Sequence, residues 1–188
     1  VGTVQRPVAP RLIKPGDAII VSGTIGDHGI AIMSVREGLE FEGEIRSDSA
    51  PLWGPVERLF DACEHLHCLR DPTRGGVSSA LNEIAASAKL GIVLQEDSIP
   101  VKDEVHGACE LLGLDPLYVA NEGKLLAFVA AEEAEAALGA LRSHPLGKDA
   151  AIIGRVTEDN PGLVTMQTAI GGQRIVEMMS GEQLPRIC

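Results

Sequence analysis

Aromatic side chains are scarce in this sequence: one Trp, one Tyr and three Phe among 188 residues, or 3%. A core built on stacked rings is thereby excluded, and Ala, Val, Ile and Leu must fill it. Basic residues are also in the minority, with 16 Lys and Arg against 27 Asp and Glu and a formal net charge of −11. Such a balance argues against nucleic acid or an anionic membrane as the main partner. A local anion site stays open, because backbone N–H groups and a few Arg can build one inside an acidic protein. No run of 18 apolar residues occurs, and the opening VGTVQRPVAPRL lacks a signal-peptide core, so no membrane span is expected and the cytoplasm is the expected location. Cysteine is sparse too. The four Cys (Cys63, Cys68, Cys109, Cys188) are too few and too unevenly spaced for a secreted disulfide framework. With no residues written after Cys188 and no polybasic stretch before it, prenylation is not expected either.

What is present suits one domain. The length permits a substantial core, and 45% hydrophobic with 23% charged residues is ordinary for a folded chain. Asp17 to Gly23 (DAIIVSG) reads as a strand, and IAIMSVREGLEF after it as a helix. Pro55 is placed to open a second helix, in which Val56, Leu59, Phe60 and Cys63 recur at helical spacing as far as about Cys68. After DPTRGG, the residues Val77, Leu81, Ile84 and Ala88 form one stripe of a third helix, with Gly91 as the expected C-cap. IVLQED reads as a strand and KDEVHGACELLG as a short helix. PLYVA and LLAFVA read as adjacent strands around NEGK. EEAEAALGALRSH is a helix, AAIIGRV a strand, and LVTMQTAI with QRIVEMM a hairpin around Gly171 and Gly172. The expected fold is therefore a layered α+β domain with a mixed sheet over residues 1–179, followed by a mobile tail at 180–188. The chain begins at Val1 inside what reads as an extended segment, so a fragment of a longer protein is expected.

Several stretches carry chemistry, and each has a plainer reading. DPTRGG (Asp71, Pro72, Thr73, Arg74, Gly75, Gly76) precedes a strong amphipathic helix. Its glycines allow close backbone approach, the helix start offers free N–H groups, and Thr73 and Arg74 add a hydroxyl and a cationic fork, which together suit a phosphate. Equally, Asp71 or Thr73 can cap the helix while Gly75 and Gly76 merely turn the chain. Asn121, Glu122 and Gly123 read first as a hairpin turn. Glu122 at a sheet rim becomes a general base only if its surroundings support that role. CEHLHC puts Cys63 and His67 on one helical face, but with too few convergent groups for zinc, so no metal site is expected there. In GDHG, Asp27 either caps a helix or, with His28, faces a ligand. Cys188 is a frayed end or a reactive thiol, with Arg186 favouring the thiolate and its own carboxylate opposing it.

Taken together, GTIGDHGIAIM, SDSAPL, DPTRGGVSSALNEIA, YVANEGKLLAFV and the terminal PRIC closely resemble the HypE family of hydrogenase maturation proteins. That family is related to AIR synthase, selenophosphate synthetase and thiamine-monophosphate kinase. The resemblance runs in order over nearly the whole chain, and the combination of DPTRGG, VANEG and a C-terminal Cys is its specific part. It implies that a HypF-like carbamoyltransferase loads a carbamoyl group onto Cys188. ATP, with Mg²⁺, then drives its dehydration to a thiocyanate, and the cyano group passes to iron on a HypC–HypD complex. By the same resemblance Glu122 is the base, Asn121 orients it or the amide, and Asp71, Thr73, Arg74, Gly75 and Gly76 line the nucleotide side. Members of the family are expected to be homodimers, and to carry an N-terminal domain with most of the ATP and Mg²⁺ contacts. Nothing in this chain corresponds to that domain, so the chain alone is not expected to dehydrate a thiocarbamate. The alternatives are another small-molecule-phosphorylating enzyme of the superfamily, or a docking module for maturation partners.

Overall fold

The computed structural model describes residues 6–38 and 45–179. Its elements, in chain order, are β1 (Ala18–Val21), α1 (Asp27–Glu37), α2 (Trp53–Ala62), β2 (Leu66–Arg70), α3 (Gly76–Ala88), β3 (Gly91–Gln95), α4 (Asp103–Leu112), β4 (Leu126–Val129), α5 (Ala134–Arg142), β5 (Ala151–Thr157), β6 (Val164–Gln167) and β7 (Gln173–Ile175). Among the described residues, seven strands make one sheet in the order β2-β4-β1-β5-β3-β6-β7. All neighbours are antiparallel except β3 and β6, which run parallel. The fold is α+β with a mixed sheet, as expected.

Side-chain alternation along the central strands explains the layering. Ile19, Val21, Leu126 and Phe128 point to one face and bury against Val77, Leu81 and Ile84 of α3. Ala18, Ile20, Ala127 and Val129 point to the other, against Leu59 of α2 and Ala137 and Leu141 of α5. Both faces being covered, β1 and β4 read in sequence as unbroken apolar runs. A smaller cluster joins Ile30 of α1 to Val105, Ala108 and Cys109 of α4 and to Val119. No helix among the described residues is long and apolar enough to cross a membrane.

Five expectations need correction. The second helix does not reach Cys68: it stops at Ala62, Cys63 is its C-cap, and Leu66–Arg70 is an edge strand. The helical stripe does bury, but beyond Cys63 the chain pairs with β4, and a bulge between Leu66 and Cys68 disrupts the simple alternation that would have marked a strand. The third helix ends with Lys89 in the left-handed conformation rather than at Gly91, which already opens β3. PLYVA forms no strand. The Asp115 carboxylate accepts the Leu117 N–H at 2.9 Å and winds Pro116–Tyr118 into a 3₁₀ turn. NEG is consequently no hairpin turn, since only one of its flanking runs joins the sheet. Finally, α1 begins earlier than expected, at Asp27, and ends earlier, at Glu37, where Gly38 at φ +62° is its C-cap. The hairpin at Gly171 is as expected, with β6 and β7 antiparallel on either side.

Candidate active site

Strands β1 and β2 both run antiparallel to β4, so their C-terminal ends lie at the end of the sheet where β4 begins. Three loops therefore meet there: Gly23 to Gly26 after β1, Asp71 to Gly75 after β2, and Val119 to Leu125 before β4. Asn121 joins them. It is wholly buried, its Oδ1 accepts the Gly26 N–H at 2.8 Å, and its Nδ2 donates to the carbonyls of Pro72 at 3.1 Å and Val119 at 3.0 Å. The Asn121 main-chain N–H also donates to Pro72 O at 3.2 Å, and Gly29 N–H to Ala120 O at 3.1 Å. Each such bond contributes on the order of 1 kcal/mol net, and leaving a buried partner unpaired costs about 1–3 kcal/mol. Asn121 thus spends its amide on holding the three loops in register. Gly76, at φ +60°, completes the fit, because a Cβ there would lie 2.5 Å from Leu117 O and 2.6 Å from Val119 O.

Glu122 follows, half-buried. Its N–H donates to Asp48 Oδ1 at 3.1 Å, and the Lys124 ammonium lies 3.0 Å from Asp48 Oδ2. A Cβ on Gly123 would collide with the Asp48 carbonyl, so only glycine lets the two segments touch. The Glu122 carboxylate makes no hydrogen bond or ion pair among the described residues. Its main-chain partner Asp48 and the nearby Lys124 line a cleft of about 330 Å³, together with Gly23, Thr24, Lys102 and Lys148. Asp27 is buried, and its partner Lys102 lines this cleft. Asp27 is the first residue of α1 rather than a cap: its Oδ2 accepts from Thr24 Oγ1 at 2.5 Å, and Lys102 Nζ lies 2.6 Å from its Oδ1. His28 Nδ1 lies 2.8 Å from Ser47 Oγ.

On the DPTRGG loop neither Asp71 nor Thr73 caps α3. The N-cap is Gly75 at φ +71°, with no side-chain cap, and Gly76 N–H donates to Thr73 O at 3.0 Å. Asp71 and Arg74 are exposed and make no hydrogen bond or ion pair among the described residues. The C-terminal run of the described chain lies along α3 towards this loop. Ser78 Oγ donates to Glu177 O at 2.6 Å, Asn82 Nδ2 donates to Val176 O at 2.9 Å, and a Cβ on Gly75 would lie 3.7 Å from Met179 Cβ. Residues 180–188, Cys188 among them, lie outside the described residues.

The Cys63–His67 helical face does not exist, because His67 sits on β2 with its Nδ1 2.7 Å from Asp17 Oδ2. His65 pairs instead with Glu133 at 3.2 Å. Burial pushes the thiols of Cys63, Cys68 and Cys109 up to about 11. At pH 8 about one in a thousand of each is thiolate, the reactive form. A thiol reagent added to the native protein at pH 8 is therefore expected to label Cys188 at least about 100-fold faster than the other three. Peptide mapping of the alkylated protein checks this, and fast labelling of Cys63, Cys68 or Cys109 would contradict it.

Sequence reading assigned no role to Asp48 or Lys124. Asp48 stands 74 residues from Glu122, and no periodicity connects them. The signal available was the acid in SDSAPL and the Lys directly after NEG.

Residues 14–166 match the family described as AIR synthase related protein, C-terminal domain. The chain is 57% identical over 175 residues to the carbamoyl dehydratase HypE of Cupriavidus necator, covering 93% of this chain and 50% of that protein. It spans about half the length of the curated relatives it matches. A crystal structure of the hydrogenase maturation protein HypE superposes with a TM-score of 0.94 at 47% identity, over 99% of this chain and 60% of that one. A HypE–HypF complex matches with 0.88 at 48% identity, over 92% and 56%, and HypE in complex with ATP with 0.91 at 47%, over 96% and 55%. Thiamine monophosphate kinase of Aquifex aeolicus, with a TM-score of 0.58 at 22% identity, shares the fold.

Proposed function

We propose that this chain, which belongs to the AIR synthase related family through its C-terminal domain, is the C-terminal half of a HypE-like carbamoyl dehydratase in hydrogenase maturation. Cys188 carries a carbamoyl group, loaded by a HypF-like carbamoyltransferase, and ATP drives its dehydration to a thiocyanate. The observation that carries this reading is the convergence at Asn121: one buried amide ties the GDHG, DPTRGG and NEG loops together, and Met179 lies against Gly75 of the same site. From Met179, residues 180–188 span at most about 30 Å when extended, ample for Cys188 to reach Glu122. In this reading the domain comprises residues 1–179, and the tail 180–188 bears the carrier Cys188.

The chemistry follows from the thiocarbamate. Its carbonyl oxygen is a poor leaving group, so it first attacks the γ-phosphorus of ATP, releasing ADP and giving an O-phosphorylated imidate as one proton leaves nitrogen. The second N–H proton then goes to a base, the C–O bond breaks, phosphate departs and the C≡N bond forms. Glu122, with a carboxylate that has no partner among the described residues, is the base. Asn121 acts at one remove, by setting the segment that bears Glu122. Gly75, Gly76 and the uncapped start of α3, with Thr73, Arg74 and Asp71 on the loop before them, face the phosphate side. The described residues contain no group of three or more His, Cys, Asp or Glu fit to hold a metal ion. No step here runs through Mg²⁺. In this reading the other half of the full-length protein supplies most contacts to ATP and Mg²⁺, the protein is a homodimer working in the cytoplasm, a HypC–HypD complex receives the cyano group, and the half present here is inactive alone.

The test is intact-mass analysis of the full-length protein incubated with the carbamoyltransferase, carbamoyl phosphate and ATP. The expected record is gain of one carbamoyl group, then loss of one water. ATP turnover without that loss would favour a small-molecule kinase of the same family.

A further inference from the structure

The Lys124 side chain is 10% exposed, and burying an ammonium is costly unless a carboxylate pairs with it. Glu122, two residues away, and Asp48 are the acids at hand. The ammonium sits on Asp48, whose side chain is 3% exposed and whose second oxygen holds the Glu122 N–H. Lys102, across the cleft, is likewise held by a buried carboxylate, that of Asp27. The cleft wall that Asp48 and Lys124 share also carries Arg46, Lys148 and Asp149, with His28 bonded to Ser47 of the same wall, and Asp71 and Arg74 stand on the loop that Asn121 ties to this segment.

We propose that Asp48 is a positioning residue that withholds Lys124 from Glu122. By binding the ammonium and the Glu122 main chain together, it fixes where Glu122 stands and leaves its carboxylate without a cation. A cation within about 4–6 Å lowers a carboxyl pKa by roughly 1–3 units, which would make Glu122 a poorer base. In this account Lys124 has no part in the chemistry, and Asp48 is needed because Lys124 is there. The inference rests on the reading of Glu122 as the base.

The experiment uses the full-length protein with its carbamoyltransferase, carbamoyl phosphate and ATP, comparing wild type, D48N and the neutral pair D48N/K124M. All three are expected to be carbamoylated at Cys188. Loss of water from the carbamoylated protein is expected to slow about 100-fold in D48N, with the acidic limb of its pH–rate profile moved to lower pH as Lys124 turns to Glu122. D48N/K124M is expected to recover to within about tenfold of wild type, because no ammonium remains to capture Glu122. Such neutral replacement of a buried ion pair is generally tolerated, so the double variant decides the matter even if D48N does not fold. Carbamoylated D48N/K124M that loses no water would overturn the inference, as would D48N dehydrating at the wild-type rate. A wild type that loses no water would overturn the dehydratase reading and this inference together, which sets that failure apart.

Discussion

Replacing Cys188 by Ala in the full-length protein is expected to abolish carbamoylation outright, and with it all loss of water in the presence of ATP. No other thiol can take over. Cys63, Cys68 and Cys109 are each about 1% exposed, and burial holds all three thiols near 11. Cys63 is further disfavoured as thiolate by the Glu133 carboxylate, and Cys109 by Asp115; the cations Arg6 and Arg70 offset burial only in part at Cys63 and Cys68. A rescue by one of them would need both unfolding around the residue and a strongly alkaline medium. Intact mass after incubation with the carbamoyltransferase reads the result directly. Carbamoylation persisting at another residue would make the carrier assignment wrong.

Glu122→Gln is the second large effect. The substitution keeps size and the main-chain N–H that donates to Asp48, and removes only the capacity to accept a proton. Carbamoylation of Cys188 is expected to proceed as in wild type, while nitrile formation falls by about 10²–10⁴-fold, the usual range for losing a general base. The carbamoylated protein should then accumulate without losing water, visible as a mass that stays put over a time course. Normal cyanation in Glu122→Gln would remove Glu122 from the base role. Because the Glu122 carboxylate makes no bond among the described residues, its loss leaves no buried group unpaired and the melting temperature should hold. Asn121→Ala would behave differently. It strands the Gly26 N–H and the Val119 carbonyl and takes one of two donors from the Pro72 carbonyl, so its first consequence is loss of stability of the loop cluster.

Most of the secondary structure was legible because burial imposes a period. The α3 stripe Val77, Leu81 and Ile84 and the run Ala18–Val21 could be read directly, since one faces the sheet and the other is covered on both sides. The failures share a cause. Leu66–Arg70 is a five-residue edge strand with a bulge, too short and too irregular for alternation to register. Val119 to Ala120 is apolar because it packs against α1 and α4, not because it pairs, and a Cβ at Gly76 would run into its backbone.

The sequence by itself determined the layered α+β class, the acidic net charge, the helix behind DPTRGG and the motifs on which the proposed reaction rests. Those properties depend on local spacing and composition, which a linear reading contains. Only the tertiary structure decided that NEG is a junction rather than a turn, that Asn121 is spent on three backbone partners, and that Asp48 holds both Glu122 and Lys124. These are contacts across 49, 74 and 76 residues. They arise because β1 and β2 run against β4, which brings the ends of distant segments to one end of the sheet, where a buried amide and a buried carboxylate can each satisfy several of them at once.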